Sequence, residues 1–199
     1  MLPPNPVPAR TLITVAGAEL PIPRPRGLLH LQFRRFAGCP VCNLHLRSVV
    51  TRLDEIRAAG IREAAVFHST AAELRKYTAE LPLDVIADPE RVLYREFGVE
   101  SGGRALLDPR GWSAIARAVG TELAATGRRA GRPAPPSHPA GGRLGLPADF
   151  LIAADGTVLA AKYAAHIDDQ WSVDELLALA DGHERVSTPA PALPKENRS

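Results

Sequence analysis

Cysteine is nearly missing from this 199-residue chain: there are two, Cys39 and Cys42. That scarcity excludes a small secreted scaffold, which spreads its cysteines to close loops. A bridge between residues three apart would close almost no loop and add little stability, so the pair reads as chemistry rather than a staple. Excess charge is missing too. Lys plus Arg total 24 against 22 for Asp plus Glu, a net +2, which gives no argument for nucleic acid or a membrane surface as partner. No apolar run approaches the roughly 18 residues needed to span a bilayer. The start, MLPPNPVPAR, lacks the charged beginning and apolar stretch of a signal peptide; the expected location is the cytoplasm. What the chain does have is 45% apolar residues, enough for a sizeable core.

The first 27 residues are proline-rich and read as an extended arm, with a short strand candidate over Thr11–Val15. Leu28 to Phe36 is bulky and apolar enough for a core strand. A turn at Gly38-Cys39-Pro40 leads into a helix expected to run to about Ala59, where Gly60 ends it. Its apolar stripe is Leu46, Val49, Val50, Leu53 and Ile56. Next come a strand over Ile61–Phe67 and a helix capped by Ser69 or Thr70 and ending near Glu80. A strand over Leu83–Ala87 and a short helix ending near Phe97-Gly98 follow. Trp112 to Ala125 has an amphipathic helical pattern. Residues 127–142 carry Gly, Pro and Arg without periodicity and read as a flexible insertion. Strands over Phe150–Ala153 and Val158–Tyr163 flank Asp155-Gly156, a hairpin signal. A closing helix over Ser172–Ala180 uses Ser172 as its cap, and residues 185–199 read as a disordered tail. The alternation predicts an α/β sandwich around a partly parallel sheet, in one domain over 28–184.

With Pro40 as the first helical residue, Cys39 is the cap. Its sulfur then faces the unpaired N–H groups and the positive end of the helix dipole, which favours thiolate over thiol. Arg34, Arg35 and Arg47 are near enough in sequence to add positive potential. Cys42 follows one turn later on the same face, within disulfide reach. Two bland readings stand beside the redox one. The cysteines could be buried small hydrophobes, or half of a zinc site. Zinc needs two more ligands, and apart from His45, one turn beyond Cys42, no source is evident. Haem attachment is excluded, because Asn43 rather than histidine follows Cys42.

Three stretches resemble the peroxiredoxins of the alkyl hydroperoxide reductase and thiol-specific antioxidant (AhpC/TSA) family, in its CxxC branch. They are FRRFAGCPVCNLHLRSV (33–49), AAVFHSTAAELRKYTAELPLDVIADPERVLYREFGV (64–99) and LGLPADFLIAADGTVLAAKY (144–163). The resemblance spans about 28–180. It implies a thioredoxin-like three-layer sandwich, with a central mixed β-sheet flanked by helices. It also implies a thiol peroxidase in which Cys39 attacks hydrogen peroxide or an organic hydroperoxide and Cys42 resolves the product. Pro40 and Arg35 support that site, Pro147 takes the cis-proline position facing Cys39, and Arg143 is the nearest match to the family's second arginine. The implied partners are the peroxide and a reductant, thioredoxin or a small thiol, and a homodimer is compatible with the family. No cofactor and no metal is expected. One departure stands out. In the family pattern P-x-x-x-T/S-x-x-C the hydroxyl residue falls on Phe36 and the proline on Gln32. The missing hydroxyl favours a second reading, a thiol–disulfide oxidoreductase using the same pair. A third is a redox-inactive binding module, which buried sulfurs without a low-pKa thiol would mark.

Overall fold

The strand Leu28–Arg34 (β3) sets the geometry of the molecule. In the computed structural model, which describes residues 2–99 and 145–187 with positions 116, 120 and 142, all seven of its residues are buried. A strand covered on both faces shows a bulky run rather than a clean polar alternation, which is why LLHLQF stands out in the sequence. On one side it pairs in parallel with Ile61–Phe67 (β4), which pairs in parallel with Asp84–Ala87 (β5). On the other it pairs antiparallel with Ala148–Ile152 (β6), itself antiparallel to Val158–Tyr163 (β7). The five-stranded sheet therefore has the order β5-β4-β3-β6-β7 and is mixed.

Helices cover both faces, giving the thioredoxin-like three-layer sandwich that the sequence predicts. Pro40–Thr51 (α1), Leu53–Ala58 (α2) and the closing helix Val173–Ser187 (α5) cover one face with Val49, Ile56 and Leu176, against Leu28 and Leu151. Ala71–Thr78 (α3) joins them through Leu74, packed with Leu46 of α1 on Ala65 and Phe67. Val92–Glu96 (α4) lies on the other face, where Leu93 and Tyr94 meet Leu31, Phe33 and Phe150. Both expected caps are present. Thr70 and Glu73 form a capping box at the start of α3. Ser172 and Glu175 exchange the same pair of bonds at the start of α5, at 2.7 and 3.2 Å.

Several boundaries differ from the sequence reading. The single helix expected to reach Ala59 is broken at Arg52, whose φ of −113° leaves helical space. Its N–H turns back to the Val49 carbonyl at 3.2 Å, and its side chain holds Glu55 and Asp174 of α5. The proline-rich segment is more than an arm. Arg10–Ile13 (β1) and Glu19–Ile22 (β2) form an antiparallel hairpin, and Val7, Leu20 and Ile22 join the core. The helix α5 continues to Ser187, into the stretch read as a tail. The remainder of that tail, nearly all of the Trp112–Ala125 helix and, apart from Gly142, the 127–142 insertion lie outside the described residues.

Candidate active site

The strand-to-helix turn carries the two cysteines. Gly38 takes φ +76°, and a Cβ there would stand 2.7 Å from the Tyr77 ring, so both backbone and packing require glycine. Cys39 is the extended cap residue (φ −61°, ψ 118°) and Pro40 opens the helix. The Cys39 N–H donates to the Phe36 carbonyl at 3.1 Å, and its own carbonyl accepts the Asn43 N–H at 2.9 Å. The loop is pinned from β4: the His68 N–H donates to the Arg35 carbonyl and the Ala37 N–H to the Ser69 hydroxyl.

Both sulfurs are free thiols, each 1% exposed. Phe36, Val41, Ile167, Leu44 and Leu146 enclose them. The Arg35 guanidinium donates to Cys39 Sγ at 3.9 Å and lies over the Phe36 ring. The thiols act as one unit. The hydrogen bond with Cys42, then burial, pushes the Cys39 thiol well above its ordinary pKa. The same bond, opposed by burial and aided by Arg35 and Arg34, lowers Cys42 to about 6. One proton leaves readily and the second with difficulty, as for any tightly coupled pair. The sequence reading put the thiolate on Cys39 because of the helix dipole. The dipole is there, and Cys39, sealed from water like Cys42, makes no side-chain cap bond. Arg35, which donates to Cys39 Sγ, favours the anion on both sulfurs, so the pair holds one charge between them.

The other predicted residues divide. Pro40 and Arg35 stand at the pair, and Arg47 is half-buried on α1. Arg143 lies outside the described residues. The Leu146–Pro147 bond is trans; the cis bonds of the described residues precede Pro6 and Pro23. Pro147 instead leads straight into β6, where proline's fixed φ is tolerated, and its carbonyl takes the Ala164 N–H at 3.1 Å. Its neighbour Leu146 is the residue that packs on the cysteines. His45, weighed as a metal ligand, is held neutral by burial, its pKa lowered to about 3. Among the described residues no group of His, Cys, Asp or Glu could hold a metal ion.

Sequence reasoning missed three neighbours. Ile167 closes the apolar cover from the loop after β7. The Tyr94 hydroxyl lies against the carbonyls of Arg34 and Val66. His68 is 1% exposed, edge-on to Tyr94, and among the described residues neither ring nitrogen has a hydrogen-bond partner. Burial and nearby arginines lower its pKa to about 4. A histidine directly after the apolar run of β4 was the available signal.

Residues 48–166 match the family profile described as AhpC/TSA antioxidant enzyme. The matched stretch begins after Cys42, so it rests on the scaffold beyond the motif. No curated protein is significantly similar in sequence. Peroxidoxin BcpB from Mycobacterium tuberculosis superposes with TM-score 0.62 at 14% identity, over 91% of this chain and 96% of that one. Peroxiredoxin Q of Xanthomonas campestris does so with TM-score 0.58 at 16% identity, over 87% and 90%. Peroxiredoxin 6 of Arenicola marina gives 0.64 at 15% identity, over 100% and 78%.

Proposed function

Because the chain belongs to the AhpC/TSA antioxidant enzyme family, we propose that it is a thiol peroxidase working through Cys39 and Cys42. The observation that carries this reading is the hydrogen-bonded thiol pair at the start of α1, sharing one negative charge beside Arg35. The proton between the sulfurs can move to Cys42, leaving the thiolate on Cys39 at the helix end. Cys39 then attacks the outer peroxide oxygen. An S–O bond forms, the O–O bond breaks, and the leaving alkoxide or hydroxide takes a proton. The sulfur is now a sulfenic acid. Cys42 attacks that sulfur, the S–S bond forms, and hydroxide leaves as water. An external dithiol, thioredoxin or a small thiol, reduces the bridge. Such a cycle belongs in a reducing compartment such as the cytoplasm.

The apolar cover over the sulfurs must open for substrate to enter, and the buried sulfurs match half of the mark set for an inactive module. The depressed thiol of the pair fails the other half. A second enzyme reading, thiol–disulfide exchange, is favoured by one observation: Phe36 stands where the family's hydroxyl would orient the peroxide, and it packs on the pair. Stopped-flow mixing of the reduced protein with hydrogen peroxide and with an oxidised protein disulfide separates the two. Under the peroxidase reading, Cys39→Ser abolishes peroxide consumption. Cys42→Ser oxidises once and leaves a sulfenic acid on Cys39 that dimedone traps. An adduct on Cys42 in the Cys39→Ser protein reverses the roles. Disulfide exchange with no adduct in either variant replaces the peroxidase by the oxidoreductase.

A further inference from the structure

Alternation along β3 sends Leu28, His30, Gln32 and Arg34 to one face of the sheet. Register adds Glu63 beside His30 and Asp149 beside Gln32. The polar side chains among these are all 3% exposed or less. They pair with one another: His30 Nδ1 lies 2.9 Å from Glu63 and its Nε2 3.4 Å from Asp149, Gln32 donates to Glu63, Arg34 Nε donates to Gln32 at 3.1 Å, and Arg34 Nη2 donates to Asp149 at 2.7 Å. The second oxygen of Asp149 accepts the Trp171 N–H at 3.1 Å. Apolar side chains of the same volume would stabilise a sheet at least as well as a buried ion pair, so the ladder calls for another role.

The helix α1 lies on this same face. Its Val49 packs in one cluster with Leu28 and Leu151, and its Leu46 in another with Ala65 and Phe67, which register with Gln32 and Arg34. Cys42 is four residues before Leu46 and seven before Val49, on the same stripe and nearer the helix start. Residues 35–39 alone join the end of β3 to that start. Cys42 therefore overlies the last rung of the ladder, Arg34.

We propose that Asp149 is a positioning residue for the redox pair, acting through Arg34: it holds the guanidinium beneath the first turn of α1, where its charge stabilises the thiolate the two cysteines share. The inference rests on reading Cys39 and Cys42 as a reactive pair. Among the described residues, the charged and titratable groups facing the pair are Arg34 from β3, Arg35 from the following loop and Tyr94 from α4; His45 of α1, near Lys162 of β7, and His30 of β3 face Arg34 and Asp149. Arg34 is among the groups that lower the Cys42 thiol.

The test is the ultraviolet absorbance of thiolate, followed against pH in the reduced protein. In Asp149→Asn the midpoint should rise by roughly one pH unit as the guanidinium leaves its place; a fall, the field of an Arg34 that stays without its counter-charge, overturns the positioning role. The double variant Arg34→Met with Asp149→Leu removes both charges, so it tolerates burial where a single deletion strands a charge; its midpoint should rise as far. Arg34→Lys keeps a charge but loses the fork that Gln32 and Asp149 grip, and should fall between. A folded double variant with the wild-type midpoint overturns the proposal. A wild-type midpoint at the free-thiol value of about 8.5 removes its premise instead. No peroxide enters the titration, so failure of the peroxidase reading is distinguishable from both.

Discussion

The two faces of the central sheet are made from the same three strands and solve opposite problems. One carries Leu29, Leu31, Phe33, Phe150 and Ile152 with an aromatic stack that runs through Phe97 and Tyr94. Its charged pair, Arg62 with Asp84, is half-buried at the margin, and the centre gives stability through area, about 1.5–3 kcal/mol for each large side chain. The other alternates with it residue by residue and holds His30, Gln32, Arg34, Glu63 and Asp149. That face gains little stability for its charges, yet it is the one under the cysteines. The sheet separates holding the fold from tuning the site, across the thickness of a single layer.

That division can be broken from either side. The largest effect belongs to the apolar face: Phe150→Ala should cost about 4 kcal/mol in urea unfolding while leaving the thiolate titration in place. A shifted titration would show that the faces are coupled. Next, Glu63→Gln should cost about 3 kcal/mol, because it leaves charged His30 with Asp149 alone; replacing Glu63 without loss would show that His30 is not charged. The pH dependence follows from the same group. Burial opposes charge on His30, but Glu63 and Asp149 outweigh it and raise its pKa to about 9. A raised pKa gives stability that is complete below about 6.5, the unfolded value, and is lost as pH climbs through 9. Thermal unfolding of the Cys39→Ser/Cys42→Ser protein, which removes thiol titration, should show stability falling over that window by on the order of 2 kcal/mol. A flat profile would contradict the charged ladder. The smallest effect is at His68, whose buried nitrogens lack partners among the described residues. His68→Leu should be neutral or stabilise by about 1 kcal/mol, and a marked loss would reveal a bond that the imidazole makes.

Much of this architecture is legible in the chain itself. The strand–turn–helix at 28–51, the parallel neighbour at 61–67 and the 155–156 hairpin follow from local pattern, turn chemistry and a resemblance that spans most of the domain. Cys39, Pro40 and Cys42 announce themselves by spacing. What stays illegible is what needs two distant segments at once. His30, Gln32 and Arg34 look like polar interruptions of a core strand until register brings Glu63 and Asp149 beside them. The thiolate is of the same kind: a local field argument placed the charge on Cys39 alone, whereas the fold buries both sulfurs beside Arg35, so that they hold it as a pair. The trans bond before Pro147 shows the reverse hazard, an analogy carried to a proline whose task here is to enter a strand.

The turn before the cysteines carries a consequence for how this chain can vary. Position 38 is closed twice, by its positive φ and by the Tyr77 ring 2.7 Å from where a Cβ would stand. In a library randomised at that codon and selected for activity, glycine should return almost alone. Survivors with another residue should carry a second change at Tyr77, on a helix that contributes no group to the chemistry. The motif and α3 would then drift as a linked pair, and transplanting the cysteines into a new scaffold means transplanting that neighbour too.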